Sequence, residues 1–302
     1  MEEESSHVKK RNWHDKSYKL LLLIPIIMVL FSLVYVTINY NQTGDLFKKD
    51  ISLTGGTSVT IYDQVSASQV EANLSKKLEN LNTREIYDFG TNEQKALIIE
   101  TTAGWNKTKS TLEDYLGYKL IEGKNADIQF TGSILSESFY TQLLLAILVA
   151  FLFMAIVVFI LFKNLVPSGA VIISAFADIL MTLTVVDLFG IKMSTAGVVA
   201  FLMIIGYSVD TDILLTTRVL KRDEGPLNER LFGAFKTGIT MTLTSFFAIL
   251  VVLIIANSFS VVLSQIFLIL VIGLFFDLIN TWITNVSMLK WYVEHKERRD
   301  KK

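Results

Sequence analysis

The chain has 302 residues, a net charge of −1, no cysteine, 51% hydrophobic residues and only 19% charged ones. So much apolar surface excludes a disordered chain, and the near-zero charge excludes a bulk nucleic-acid binder. The absent thiols exclude a disulfide framework and any cysteine-held metal or iron–sulfur group. Forty consecutive residues, Thr237 to Phe276, carry no ionisable side chain. A soluble helix needs a polar face, so a run of this length marks membrane spans.

The first apolar segment, Leu20 to Asn39, follows Lys9, Lys10, Arg11, Lys16 and Lys19. It outruns a signal-peptide core, and no small-residue cleavage pattern follows Tyr40, so it reads as a retained anchor behind a cytosolic tail, residues 1–19. Residues 40–137 have the balanced charge of a water-exposed domain, with ten basic and fourteen acidic side chains. Within it, Thr57–Tyr62 is β-branched and predicts a strand. Ser66, Ala67 and Ser68 begin a helix running through Leu81, with Val70, Leu74 and Leu78 at helical spacing. Glu85–Phe89 and Ala96–Glu100 predict two strands about a Gly90–Asn92 turn, Lys109–Leu116 a helix, and Asp127–Phe130 a last strand. The order β-α-β-β-α-β is that of a ferredoxin-like α+β domain. Gly55-Gly56, just ahead of it, suits a tight turn between membrane and domain. Three glycosylation sequons begin at Asn41, Asn73 and Asn106, a number little above chance.

Residues 138–289 hold five further spans: Phe139–Phe162, Ser168–Phe189, Ser194–Thr217, Ala234–Ala256 and Val261–Leu289. A tail, residues 290–302, closes the chain. With the N-terminus inside, Lys163, Arg218, Lys221, Arg222, Arg230 and the six basic residues after Leu289 all fall on the inner side, and the short outer loops hold only Lys192. That asymmetry follows the positive-inside rule, so both termini are expected in the cytosol and the 40–137 domain outside it. The expected fold is a polytopic α-helical membrane protein of six spans, with one extracytoplasmic α+β domain between spans one and two.

Acidic side chains at bilayer depth are the strongest functional signal. Asp178 lies ten residues from the inner end of span three, roughly 15 Å deep at the helical rise. Asp210 and Asp212 lie about 11 and 8 Å from the inner end of span four, and Asp277 is near mid-depth in span six. An ionised Asp at a helix centre costs about 2.5–3.5 kcal/mol, so these residues are expected to face protein, water or one another, and to serve as proton-relay or cation-handling groups. Arg218, at the inner end of span four, reads either as a counter-charge for Asp212 or as an interfacial anchor. Asp187, close to the outer end of span three, reads as interfacial. Thr237, Thr240 and Thr244 share one face of span five and suit helix packing. The histidines, His7, His14 and His295, all fall in the tails, so imidazole carries nothing across. No catalytic constellation, metal site or cofactor is expected.

Thr54-Gly55-Gly56-Thr57 is similar to the D-F-x-G-G-T element at the head of the outer domain in the SecD/SecF protein-export family, with Ser52 in the acidic position. Ala175–Ile179 (AFADI) resembles that family's H-D-V region, with Asp178 on the acidic position and Ala177 in place of His. Gly206-Tyr207-Ser208-Val209 matches its G-Y-S-V signature in span four. Asp210-Thr211-Asp212 departs from the bacterial N-D-T and, with Asp277–Trp282, resembles the archaeal branch. The resemblance covers nearly the whole chain. It implies one six-span half of an RND-superfamily unit, a role in protein export without ATP, and coupling to the proton gradient. It implies as partners SecD as the other half, the SecY/SecE translocon, the translocating polypeptide and the surrounding bilayer of the cell membrane. RND transporters place their pathway between two related halves, which also calls for a companion. Two other classes fit less well. An intramembrane aspartyl protease needs Tyr-Asp and Gly-x-Gly-Asp motifs that the spans lack, and a small-molecule exporter needs a larger outer domain. A purely structural translocon accessory remains the alternative.

Overall fold

The computed structural model describes Tyr18, residues 20–88, Thr91, and residues 93–221, 226–258 and 260–300. The basic cluster before Tyr18, both ends of the expected Gly90–Asn92 turn, Arg222 and Phe259 lie outside the described residues.

Among the described residues six helices are long and apolar enough to cross a membrane. The first, α1 (Leu23–Thr43), leads through a one-turn helix, α2 (Ile51–Thr54), into a sheet domain. That domain comprises β1 (Gly56–Ile61), α3 (Ala67–Leu74), β2 (Asn82–Tyr87), β3 (Gln94–Thr101), α4 (Trp105–Leu116) and β4 (Ala126–Thr131). Its four strands are antiparallel in the order β2-β3-β1-β4, so the first and last strands pair, as in a ferredoxin-like fold. In the central strand Val59 and Ile61 alternate inward. Opposite them come Ile99 and Leu97, and Val70, Leu74 and Leu112 of the helices close one apolar core. The expected helix through Leu81 stops at Leu74. Leu78 is still fully buried, but the Glu79 carbonyl is taken by the Thr102 N–H and the Thr101 hydroxyl, and Asn80 turns into the left-handed region at φ 52°. The strand end thus captures the Glu79 carbonyl, and the left-handed turn at Asn80 keeps the helix from continuing to Leu81.

The chain then runs from β4 through Gly132 directly into α5 (Ser133–Phe162). It continues as α6 (Leu165–Leu188), α7 (Thr195–Lys221), α8 (Leu227–Ala256) and α9 (Val261–Ile279). A π-helical segment, Asn280–Asn285, joins α9 to α10 (Val286–Asp300). The sixth span is therefore not the uniform helix its apolar run suggested. Helices α6 and α7 bury more than half of their apolar stretch, whereas α1, α5 and α8 bury about a tenth. A helix that is apolar all round is suited to lipid, so α6 and α7 form the centre of the bundle and the other three its lipid-facing wall.

Bundle and sheet domain meet at the linker after α1. The Met193 N–H donates to the Lys48 carbonyl at 2.7 Å and the Asp50 N–H to the Met193 carbonyl at 2.9 Å, so the linker lies as a short parallel strand along the α6–α7 turn. Phe47 and Leu53 are buried with Met193, Val198, Phe201 and Ile269. Asp187, one residue from the end of α6, is buried within the chain: its Oδ2 accepts from the Tyr35 hydroxyl at 2.6 Å and its Oδ1 from the Lys48 N–H at 2.8 Å. The Asp50 side chain caps α2 by accepting from the Ser52 N–H. Burial, then the nearby Glu100 carboxylate, push Asp50 up to about 6. Gly56, at φ 149°, passes so close to β3 that a Cβ there would lie 2.3 Å from the Thr101 carbonyl oxygen. Gly55 takes φ 83°, so the Gly-Gly pair does serve a turn no larger residue fits.

Candidate functional site

Three helical segments from the centre of the bundle bring their polar side chains to one place. On α6, Ser174, Asp178 and Thr182 recur at intervals of four and share a face. On α7, Ser208 and Asp212 do the same. The third contribution comes from Asp277, Asn280, Thr281, Thr284 and Asn285, all buried. A π-helical turn takes more residues per turn than an α-helix, so positions one, two, five and six of Asn280–Asn285 fall on the same side. That is where Asn280, Thr281, Thr284 and Asn285 sit.

The hydrogen bonds hold the three carboxylates in two adjoining sets, Asp178 in one and Asp212 with Asp277 in the other. Asp178 Oδ2 accepts from the Ser208 hydroxyl and its Oδ1 from the Asn280 amide, both at 2.6 Å. Asn280 Oδ1 in turn accepts from Thr284 at 3.2 Å. Asp212 Oδ1 accepts from the Thr281 hydroxyl at 2.8 Å and from the Asn285 amide at 2.7 Å. The same Thr281 hydroxyl lies 3.2 Å from Asp277 Oδ1. A hydroxyl carries one proton and can also accept, so Thr281 can pass a proton between Asp212 and Asp277 by donating to one and accepting from the other. Asp178 and Asp277 are close enough to other carboxylates of the cluster to feel their charge. Asp212 Oδ2 and Asp277 Oδ2 are buried with no hydrogen-bond partner of normal geometry among the described residues. The Ser174 hydroxyl lies beside Asp212 and the Ser208 hydroxyl beside Asp277, in a site walled by apolar side chains, where an unshared charge is costly. Among the described residues no group of three or more acidic, His or Cys side chains is arranged to hold a metal ion.

Of the sequence candidates, Asp178, Asp212 and Asp277 come together. Asp210 does not: it lies on the exposed face of α7. Arg218 does not reach Asp212; its guanidinium donates to the Gly233 carbonyl of α8 at 2.7 Å. Of the signature residues, Ser208 enters the site, whereas Gly206 and Tyr207 face outward on the bundle surface. Thr237, Thr240 and Thr244 return their hydroxyls to the Gly233, Lys236 and Thr240 carbonyls of their own helix. Asn280, Thr281, Thr284 and Asn285 were missed as site residues. The signal for them was a polar Asn-Thr-Trp-Ile-Thr-Asn stretch inside an apolar span, which costs free energy unless the polar groups find partners.

Comparison with known proteins agrees with this architecture. The family described as "Protein export membrane protein SecD/SecF, C-terminal" matches residues 114–295. The chain is 37% identical to the protein-export membrane protein SecF of Methanocaldococcus jannaschii, over 92% of this chain and 96% of that one. It is likewise 37% identical to the SecF of Methanothermobacter thermautotrophicus, over 92% and 94%. Among solved structures it is similar to SecDF of Thermus thermophilus, described as a translocon-associated membrane protein. The TM-score is 0.72 at 18% identity, covering 92% of this chain and 38% of that one. The likeness to SecDF shows the fold, and this chain spans little more than a third of that longer protein.

Proposed function

The chain belongs to the SecD/SecF protein-export family, and from that premise we propose that it is the SecF-type subunit of a protein-export machine, working with SecD as its other six-span half. In this reading the pair assists the SecY/SecE translocon in moving a polypeptide across or into the cell membrane. Both termini are cytosolic and the sheet domain lies on the far side, with spans and tails divided as residues 1–19, 20–39, 40–137, 138–289 and 290–302. The chain performs no covalent chemistry of its own. Protons move through Asp178, Asp212 and Asp277, and the resulting change in helix packing reaches the sheet domain through the linker docked on the α6–α7 turn.

The observation that carries this reading is the shared Thr281 hydroxyl. It bonds Asp212 and abuts Asp277, while Ser208 and Asn280 hold Asp178 beside them. A purely structural cluster gains nothing from three carboxyl groups in an apolar bundle, since apolar side chains of equal volume would pack there at less cost. The test is proton flux. The chain is reconstituted with SecD in vesicles holding a pH-sensitive dye, and a membrane potential is imposed. Asp178→Asn and Asp212→Asn should each lower the potential-driven flux at least tenfold, with the protein still folded. Flux unchanged in both variants would overturn the coupling and leave the structural-accessory reading.

A further inference from the structure

At the domain end of the bundle a cavity of about 520 Å³ lies between the last turn of α1, the linker, the sheet domain and the α6–α7 turn. Thr43, Lys48 and Lys192 line it and are exposed, so its mouth is open. Of its charged walls, Lys49 is spent on Asp45 at 2.8 Å. The Lys48 amine reaches the Asp187 carbonyl at 3.3 Å. The Lys192 amine makes no hydrogen bond or ion pair among the described residues. Glu100 accepts from the Asn82 amide at 3.1 Å through one carboxylate oxygen. Asp50 feels the charge of both Glu100 and Lys192 but does not line the cavity. Two ammonium groups and one carboxylate on the walls suit a ligand with an anion at one end and a hydrogen-bond donor at the other. A phosphodiester that carries an amine or a hydroxyl is such a group.

Depth narrows the source. The apolar run of α1 ends at Ile38, and Asn39 to Thr43 rise about 6 Å beyond it, the thickness of a headgroup layer outside a core of about 30 Å. Tyr40, 52% exposed in that turn, is a side chain that favours this layer. We propose that the cavity holds the headgroup of a membrane phospholipid, with Lys48 and Lys192 on its phosphodiester, Glu100 on its amine or hydroxyl, and the acyl chains left in the bilayer beside α1. A soluble phosphate ester offers the same polar chemistry, but a lipid is held by its chains at the cavity's own depth, which raises its effective concentration there. A headgroup so seated touches α1, the linker, the sheet domain and the α6–α7 turn together, and steadies the linker between them. The inference needs the membrane spans but not the export role, so the two fail separately.

The test uses the full chain, purified in detergent, stripped of lipid and measured by native mass spectrometry. The probes are phosphatidylethanolamine, the diacylglycerol with the same chains, and glycerophosphoethanolamine, the headgroup without chains. One phosphatidylethanolamine should stay bound at an occupancy at least tenfold that of diacylglycerol. Lys192→Gln should lower this occupancy at least threefold, and Lys48→Gln combined with Lys192→Gln at least tenfold, with the melting midpoint of the lipid-free chain unchanged. Lys163→Gln removes the same charge from an exposed position at the opposite end of the bundle and should change occupancy less than twofold. Equal retention of phosphatidylethanolamine and diacylglycerol would overturn the site, as would equal losses from Lys163→Gln and Lys192→Gln. Glycerophosphoethanolamine bound as tightly as the whole lipid would overturn the lipid source.

Discussion

Inside the bundle, neutral side chains govern what the carboxylates can do. The Asn280 amide is one of two donors to Asp178, the Ser208 hydroxyl the other, and both lie out of reach of solvent. Replacing Asn280 by Leu keeps the volume but leaves Asp178 Oδ1 without a donor. A buried acceptor stripped of its partner costs about 1–3 kcal/mol, so Asn280→Leu should lower unfolding stability in detergent by that amount. Because Ser208→Ala strips the same carboxylate, the double variant should deviate from additivity by at least about 0.5 kcal/mol, which a double-mutant cycle reads directly. Asp50 governs the linker in a different way. Its carboxyl sits at about 6, raised by burial and by Glu100, while an unfolded Asp titrates near 4. The folded chain therefore binds this proton more tightly than the unfolded chain. The stability it contributes is complete below about pH 4 and is lost as pH rises to about 6. Amide exchange at Asp50 and Met193, corrected for its intrinsic pH dependence, should accelerate between about pH 4 and 6, and Asp50→Asn should flatten that rise.

At the level of elements, glycines set how closely the central helices approach. A Cβ on Gly238 of α8 would lie 2.4 Å from Trp282 Cζ2, and Trp282 is wedged edge-on against Phe235 at 5.0 Å between ring centroids. The ring belongs to the π-helical segment, so moving it disturbs the segment that carries Asn280, Thr281 and Asn285. Gly238→Ala should cost about 1–3 kcal/mol by overpacking and should weaken proton flux along with stability. Gly206→Ala, with open space around it, should leave the stability of the isolated chain within about 0.5 kcal/mol. Thermal unfolding of the two variants separates them. The same elements mark what the sequence could and could not disclose. Six apolar runs and an alternating β-α-β-β-α-β pattern were legible because lipid and a one-sided sheet both impose periodicity. The π-helical turn was not, because a continuous helix and a helix with one wide turn share the same composition. The early end of α3 was hidden as well, since Leu78 keeps helical spacing while the Glu79 carbonyl is claimed by residues more than twenty positions away. Depth alone grouped Asp210 with Asp212, and only the helix face parts them: two steps round α7 carry one into the bundle and the other out of it.

At the scale of the whole molecule, the proposed function requires a route from the buried carboxylates to a sheet domain beyond the end of the bundle. Helix α6 carries Asp178 and, nine residues further on, Asp187. The second carboxylate holds α1 through Tyr35 and the linker backbone through the Lys48 N–H. One helix thus bears both the cluster and the clasp, and any displacement of α6 along its axis pulls on the segment that leads into β1. Hydrogen bonds to a carboxylate contribute about 1.5–3 kcal/mol each, so removing both by Asp187→Ala should favour local opening of the linker by about 3 kcal/mol, roughly a hundredfold. Trypsin added to the domain side of reconstituted vesicles should then cut at Lys48 or Lys49 at least tenfold faster than in wild type. The sheet domain keeps its own apolar core and should stay resistant. Proton flux through Asp178 and Asp212 should persist while export falls, the mark of a motor disconnected from its load. Unchanged cleavage would mean that Phe47 and Leu53, seated against Met193 and Phe201, hold the linker by apolar burial alone. The coupling would then run through packing rather than through Asp187, and Leu53→Ala would become the substitution that releases the domain.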